Sequence, residues 1–120
     1  MNTSGRVRVA AVVAAAANGK SVSSVYDFSQ GEHRLVSVKV VGGSVQGYDY
    51  ATGSHFSGTG SGGALDFYDY ETSSHVQLRL DGTKFSGYDY HASNHFTGTV
   101  SGSSISLYDF ETSSFYNYSV

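Results

Sequence analysis

The chain has 120 residues, a formal net charge of −3 and only seven Lys and Arg side chains, so we expect no nucleic-acid partner. It has no cysteine, which excludes disulfides and thiolate metal sites. Composition gives no localisation. The length fits a single domain, 1-120, and ten Tyr, seven Phe and fifteen Gly are typical of β-strands joined by open turns.

The N-terminal segment 1-17 carries two arginines followed by an apolar run. The run is too short to span a bilayer. A signal peptide is one interpretation, but the segment lacks a Leu-rich centre and a clear cleavage site. It fits a strand leading into an Asn18-Gly19 turn, or an Ala-rich helix that Gly19 caps. The strand is favoured, because similar turn dipeptides recur along the chain.

A YDY or YDF motif recurs at intervals of 22 and then 20 residues, which indicates a repeated supersecondary unit. Each motif follows a dipeptide suited to a two-residue hairpin turn and precedes a polar four-residue segment, as at 71-74. Each repeat is therefore predicted to be strand, four-residue turn, strand and two-residue turn. The motifs begin at Tyr26, Tyr48, Tyr68, Tyr88 and Tyr108, and the turn dipeptides are Asn18-Gly19, Gly42-Gly43, Gly62-Gly63, Asp81-Gly82 and Gly102-Ser103.

The predicted fold is all-β: an antiparallel up-and-down meander of about ten strands, made of five tandem hairpin repeats in 18-120. A single flat sheet would leave its apolar face uncovered, so we expect a closed barrel or a two-layer sheet.

The predicted register pairs Tyr70 with His75 and Leu80 with Thr83, and it separates an apolar face from an aromatic one. It also places Gly47 opposite Gly58, which provides a groove for large side chains or a bend. The predicted core consists of Val25, Val36, Val38, Val40, Val45, Phe56, Leu65, Phe67, Val76, Leu78, Leu80, Phe85, Phe96, Val100, Ile105, Leu107, Tyr118 and Val120.

Three repeats contain an Asp and a His six residues apart, and these residue types build acid-base and metal sites. The register places the two on opposite faces of the sheet. Equivalent histidines are about 9.5 Å apart across two strands, too far to share one ion. No Ser-His-Asp arrangement, P-loop or HExxH motif occurs. We therefore expect no metal, no cofactor and no enzyme activity. The pairs are Asp49 with His55, Asp69 with His75, and Asp89 with His95.

The motif aspartates lie together at one end of the core face. Asp side chains at such positions accept hydrogen bonds from turn amides, or from hydroxyls such as those of Thr72 and Thr112. If the sheet closes, the carboxylates would ring one mouth, where a cation is the weaker alternative. The candidates for that cation are Asp49, Asp69, Asp89 and Asp109.

A row of Tyr and His on the other face, the Tyr/His stripe, is the candidate ligand-binding surface. Amphipathic rings suit sugars, peptides or a protein surface, although cross-strand aromatic pairs can also serve the sheet alone. The predicted function is a non-enzymatic binding module for carbohydrate or a protein surface. The alternative is a structural, self-associating scaffold, a homo-oligomer. The candidate residues are Tyr50, His55, Tyr70, His75, Tyr90 and His95.

The YD dipeptides and their spacing resemble the YD repeats of Rhs-type toxin shells. The aromatic triplets with glycine turns are similar to choline- or glucan-binding wall repeats. The Gly-Arg of the first family and the Trp residues of the second are missing. Both resemblances cover residues 20-120 only as a repeat rhythm and imply no functional residue.

Overall fold

The structure, a computed structural model of residues 1–120, contains one helix and one sheet of eleven antiparallel strands. The predicted all-β meander is confirmed. The sheet order is β2-β1-β11-β10-β9-β8-β7-β6-β5-β4-β3. The elements are α1 (Thr3–Asn18), β1 (Val25–Asp27), β2 (Glu32–Arg34), β3 (Val36–Val41), β4 (Ser44–Asp49), β5 (Ser54–Ser61), β6 (Ala64–Asp69), β7 (Ser74–Asp81), β8 (Lys84–Asp89), β9 (Asn94–Ser101), β10 (Ser104–Asp109) and β11 (Ser114–Ser119).

The two ends of this sheet meet, so the sheet forms a nearly closed barrel. Strands β2 and β3 stand at opposite ends of the order, yet only Leu35 separates them along the chain. Val22 also pairs with Val38, and the pairing shifts by one residue before it continues between β1 and β2, as at a β-bulge. Counted as one interrupted strand, β2 and β3 give ten strands. Closure protects the backbone groups that a free edge would expose.

The helix α1 runs inside the barrel. Ten consecutive residues, from Arg6 to Ala15, are buried, as expected for a helix that is apolar all round. Asn2 caps its start, and Gly19 ends it in the left-handed conformation at φ 63°. The strand favoured for 1-17 is therefore wrong, because its turn-like dipeptide is a helix cap. No helix of this chain is long and apolar enough to cross a bilayer.

The register within the hairpins differs by two residues from the prediction. Tyr68, not Tyr70, lies opposite His75. The turn begins directly after Asp69, because the Asp69 carboxylate accepts a hydrogen bond from the amide of Glu71. A shift of two residues keeps every side chain on its predicted face, so the assignment of the two faces stands.

The pairing across the turn between β7 and β8 also differs from the prediction. Leu80 lies opposite Phe85 rather than Thr83. Gly82 takes a left-handed φ of 60°, so the two-residue loop consists of Gly82 and Thr83 rather than beginning at Asp81. This loop is equivalent to the Gly62-Gly63 loop between β5 and β6. The prediction placed that earlier loop correctly.

The core lies between the helix and the barrel wall. Gly47 faces Phe56 rather than Gly58, so a large ring fills the space beside this glycine, as one of the two predicted alternatives required. The predicted core residues are buried except for Val40 and Leu80, which are partly buried, and Val120, which is 37% exposed at the end of the chain. The helix supplies the part of the core that the sequence prediction lacked.

Candidate functional site

The five motif aspartates ring one mouth of the barrel, and all are buried. In each repeat, one carboxylate oxygen accepts a hydrogen bond of 3.0 Å from the amide two residues later. The predicted turn role is therefore observed. The predicted hydroxyl partners are not, because the hydroxyls of Thr72 and Thr112 do not bind these carboxylates; the hydroxyl of Ser29 in the first repeat does. The ring consists of Asp27, Asp49, Asp69, Asp89 and Asp109.

Arg8 of the helix occupies one side of this ring and is fully buried. Its Nη1 lies 2.7 Å from Asp49 Oδ2, and its Nε lies 2.9 Å from Asp69 Oδ2. Its Nη2 lies 2.6 Å from Glu71 Oε1. Burial alone would lower the pKa of Arg8, but the hydrogen bond to Glu71 and the surrounding carboxylates raise it. The guanidinium therefore stays charged and ties the helix to two repeats.

Arg6 and the amino group of Met1 occupy the opposite side of the ring. Arg6 Nη1 lies 3.3 Å and the Met1 nitrogen 3.0 Å from Asp109 Oδ2. The Met1 amine also pairs with Glu111, and the Arg6 guanidinium lies 3.8 Å from the centre of the Tyr116 ring. These contacts fix the start of the helix against the last repeat.

The four aspartates predicted as candidates for binding a cation therefore differ in their partners. Asp49, Asp69 and Asp109 pair with Arg8, Arg6 or the Met1 amine, whereas Asp89 has no ion pair. No group of three or more acidic or His side chains has an arrangement that could hold a metal ion. The missed signal was the pair of arginines in an otherwise apolar segment, which the strand interpretation left without partners.

A buried tyrosine and a buried aspartate with unpaired oxygen atoms lie opposite each other at this ring. Tyr118 lies opposite Asp27 and is 1% exposed. Neither the Tyr118 hydroxyl nor Asp27 Oδ2 has a well-formed hydrogen bond within the protein. Burial, together with the negative charge of Asp27, raises the pKa of Tyr118. The phenol is therefore neutral at ordinary pH.

The outer wall at the same end carries five aromatic trios. In each trio the first Tyr of the motif contacts two other rings edge-on, with ring centres 4.7–5.0 Å apart. The predicted stripe residues are thus brought together by Tyr48, Tyr68 and Tyr88, which the prediction omitted because its register was shifted. The trios are Tyr26/Phe28/His33, Tyr48/Tyr50/His55, Tyr68/Tyr70/His75, Tyr88/Tyr90/His95 and Tyr108/Phe110/Phe115.

Neighbouring trios join into a continuous Tyr/His stripe over repeats two to five. The amide of Tyr70 donates to the His55 carbonyl at 3.1 Å, and that of Tyr90 to the His75 carbonyl at 3.2 Å. Phe110 and His95 make the same contact. Each step crosses two strands and shifts two residues along them, so equivalent rings are about 12 Å apart. That spacing again separates the histidines too far for one shared ion.

The rest of the outer wall is polar but almost uncharged. Most outward-facing strand positions hold Ser, Thr, Gln, Asn, Tyr or His. Such side chains both donate and accept hydrogen bonds. The charged outward-facing strand residues are Lys39, Asp66, Arg79, Asp81 and Lys84.

Three depressions lie along the stripe. A depression of about 590 Å³ is lined by Gln46, His55 and Tyr70, among others. The largest, of about 1050 Å³, crosses the outer faces of β5 to β9, and its lining includes Tyr88, His95, Phe110, Asp66, Gln77 and Arg79. A third, of about 520 Å³, is lined by Tyr108, Phe115, Lys84, Ser86 and Arg79, among others.

Comparison of the chain with models of protein families, with curated proteins and with solved structures finds no match in any of the three.

Proposed function

We propose that this chain is a non-catalytic binding module and that its Tyr/His stripe holds a saccharide on the outside of the barrel. The observation that carries the proposal is a set of exposed rings, each held edge-on by a partner ring, on a wall that also has three depressions. Tyr50, Tyr70 and Tyr90 are 60%, 58% and 50% exposed.

The fixed positions of these rings favour binding. Tyr70 is held by Tyr68, with ring centres 4.8 Å apart, and Tyr68 in turn contacts His75 at 5.0 Å. A ring that is already held in place loses little conformational entropy when a ligand stacks on it. Aromatic pairs that only stabilised the sheet would not need to leave a third ring half exposed to solvent.

The chemistry of the wall favours a saccharide over other ligands. A sugar presents flat C–H faces for aromatic rings and hydroxyls that both donate and accept hydrogen bonds. The depressions offer both kinds of contact, with Tyr70 and His55 beside Gln46, and with Tyr88 and His95 beside Gln77.

The repetition of the steps favours an extended ligand. Three equivalent backbone hydrogen bonds, from the amides of Tyr70, Tyr90 and Phe110, place one trio after another across the wall. A chain that occupies one step holds its next units close to the following step, so modest contacts add up.

The test is a titration with a panel of neutral and acidic oligosaccharides, followed by calorimetry or NMR shift mapping. We expect binding that shifts the stripe resonances and that weakens about 3- to 10-fold per ring in Tyr70→Ala and Tyr90→Ala. Tyr70→Phe keeps the stacking ring and removes only the hydroxyl, so it distinguishes the contribution of stacking from that of the hydroxyl. Val41→Ala, which truncates a residue 60% exposed on β3, is the matched control. No binding across the panel, or equal binding by Tyr70→Ala, would refute the proposal.

A second proposal is self-association where the first and last repeats meet. Phe28 and Phe115 are 60% and 68% exposed, and the Phe28 amide binds the carbonyl of Asn117 on β11. Exposed apolar groups of this kind favour contact with a second copy. Sedimentation should then show a concentration-dependent dimer that Phe115→Ser weakens, whereas a monomer at all concentrations would rule it out.

A further inference from the structure

We infer that the saccharide held over β7 to β9 is acidic and that its carboxylate binds Arg79. This inference rests on the proposed function and names the ligand class for one part of the stripe. The location follows from the two depressions that meet there, because Arg79, Ser86 and Thr97 line both of them.

Arg79 has no acidic partner on the wall. It is exposed, and its cross-strand neighbours are Ala64 and Ser86. Of the two outward carboxylates, Asp66 contacts His75 at 2.9 Å and Asp81 lies opposite Lys84, and neither forms an ion pair with Arg79. The guanidinium therefore presents its donors to the ligand path.

The other cations of the wall are less suitable. Lys84 faces Asp81, and Lys39 lies opposite Gln46 on β4, outside the two depressions that meet at Arg79. Arg79 also differs in chemistry, because a guanidinium can hold a carboxylate through two parallel hydrogen bonds whereas an ammonium acts as a point charge.

Aromatic rings line both of the depressions that Arg79 borders. His95 and Phe110 line the larger depression, and Tyr108 and Phe115 line the smaller one. An oligosaccharide with its charged unit at Arg79 can therefore stack a neighbouring unit on a ring of either depression. The hydroxyls of Ser86 and Thr97 lie between Arg79 and Tyr108 in a row of paired strand residues and can bind the sugar hydroxyls.

The net charge of the chain does not oppose an acidic ligand here. The five motif aspartates, with Glu71 and Glu111, lie at the mouth, where three of the aspartates and both glutamates pair with Arg8, Arg6 or the Met1 amine. The outward-facing strand positions hold three basic and two acidic side chains, so the wall has a small positive balance. The formal charge of −3 therefore comes largely from groups that do not face this surface.

The experiment compares three probes against the full chain: tetragalacturonate, the neutral cellotetraose, and a decapeptide of glutamate. We expect tetragalacturonate to bind about tenfold more tightly than cellotetraose at low salt and the preference to shrink as salt rises. Arg79→Gln should remove the preference, measured as the ratio of the affinities for tetragalacturonate and cellotetraose. Arg79→Lys should keep part of it. Lys39→Gln, the matched loss of an outward cation, should keep all of it.

Equal affinity of the wild-type chain for the acidic and neutral sugars would overturn the acidic ligand while leaving saccharide binding intact. Retention of the preference in Arg79→Gln would overturn the role of Arg79. Binding of the peptide as tight as that of tetragalacturonate would overturn the saccharide class. Failure of both sugars to bind would also overturn the acidic ligand at Arg79, whereas failure of the whole oligosaccharide panel would refute the proposed function itself.

Discussion

The ring of Phe56 occupies the space beside Gly47 where any other residue would carry its side chain. A Cβ built on Gly47 would lie under 3.0 Å from three atoms of this fully buried ring. Gly47→Ala should therefore lower the free energy of unfolding by about 1–3 kcal/mol, measured by urea denaturation. The control is Gly62→Ala, where a Cβ meets nothing within 4 Å and the loss is backbone strain of about 1 kcal/mol.

The double variant Gly47→Ala/Phe56→Leu isolates this contact. The smaller leucine removes the overlap. The losses in unfolding free energy of the two single variants should therefore sum to at least about 0.5 kcal/mol more than the loss of the double variant. Strictly additive losses would mean that the ring does not restrict residue 47.

Replacement of Arg8 by Met should leave the Asp49 and Asp69 carboxylates buried without their cation. We expect a loss of about 3–5 kcal/mol in the free energy of unfolding. Arg8→Lys should be intermediate, because one ammonium cannot replace contacts to three carboxylates. The control Arg79→Met removes an exposed guanidinium and should change stability by less than about 0.5 kcal/mol. An equally small change for Arg8→Met would contradict the ion pairs as described.

The Asp69 carboxyl predicts a particular pH dependence. Burial raises its pKa above the ordinary value of 3.8, despite the opposing effect of Arg8. A raised pKa means that the folded state binds this proton more tightly than the unfolded state. The ionised carboxyl therefore costs stability near pH 7, and this cost disappears as pH falls through the folded pKa to 3.8.

Asp69→Asn lacks this titration and provides the measurement. The difference in unfolding free energy, wild type minus variant, should grow in favour of the wild type between neutral pH and pH 3.8. A difference that shrinks over that range would mean that Arg8 controls the pKa of Asp69 more strongly than burial does.

The Tyr118 hydroxyl should contribute little to stability. It is buried without a well-formed hydrogen bond, so Tyr118→Phe removes an unpaired polar group and should change the free energy of unfolding by less than about 1 kcal/mol. Tyr118→Leu, which also removes ring volume, should cost about 2–4 kcal/mol. A loss above about 2 kcal/mol for the phenylalanine variant would show that the hydroxyl has a strong partner, such as Arg6.

The two faces of the wall were predictable because side chains alternate along every strand. Phe67 inward and Tyr68 outward follow from that alternation under any register shifted by an even number of residues. The register itself was harder to predict. It depends on which residue opens the four-residue turn, and that depends on the hydrogen bond from the Glu71 amide to Asp69.

The helix was not predictable from its local signals alone. Gly19 suits a hairpin turn and a helix cap equally well, because both require a left-handed backbone. The deciding contacts are distant in sequence, such as Arg8 with Asp69. The mouth was therefore predicted as a ring of aspartates, but without the helix cations that fill it.

Barrel closure has a consequence for the order of folding. The pair that joins the two halves of the wall, Tyr26 with Ser119, comes from opposite ends of the hairpin array, whereas each hairpin forms from neighbouring residues. The helix precedes the hairpins along the chain but is enclosed only when the last hairpin pairs with the first. Until then its Val and Ala side chains are exposed to water, so we expect the folding chain to be most prone to aggregate before β11 pairs with β1.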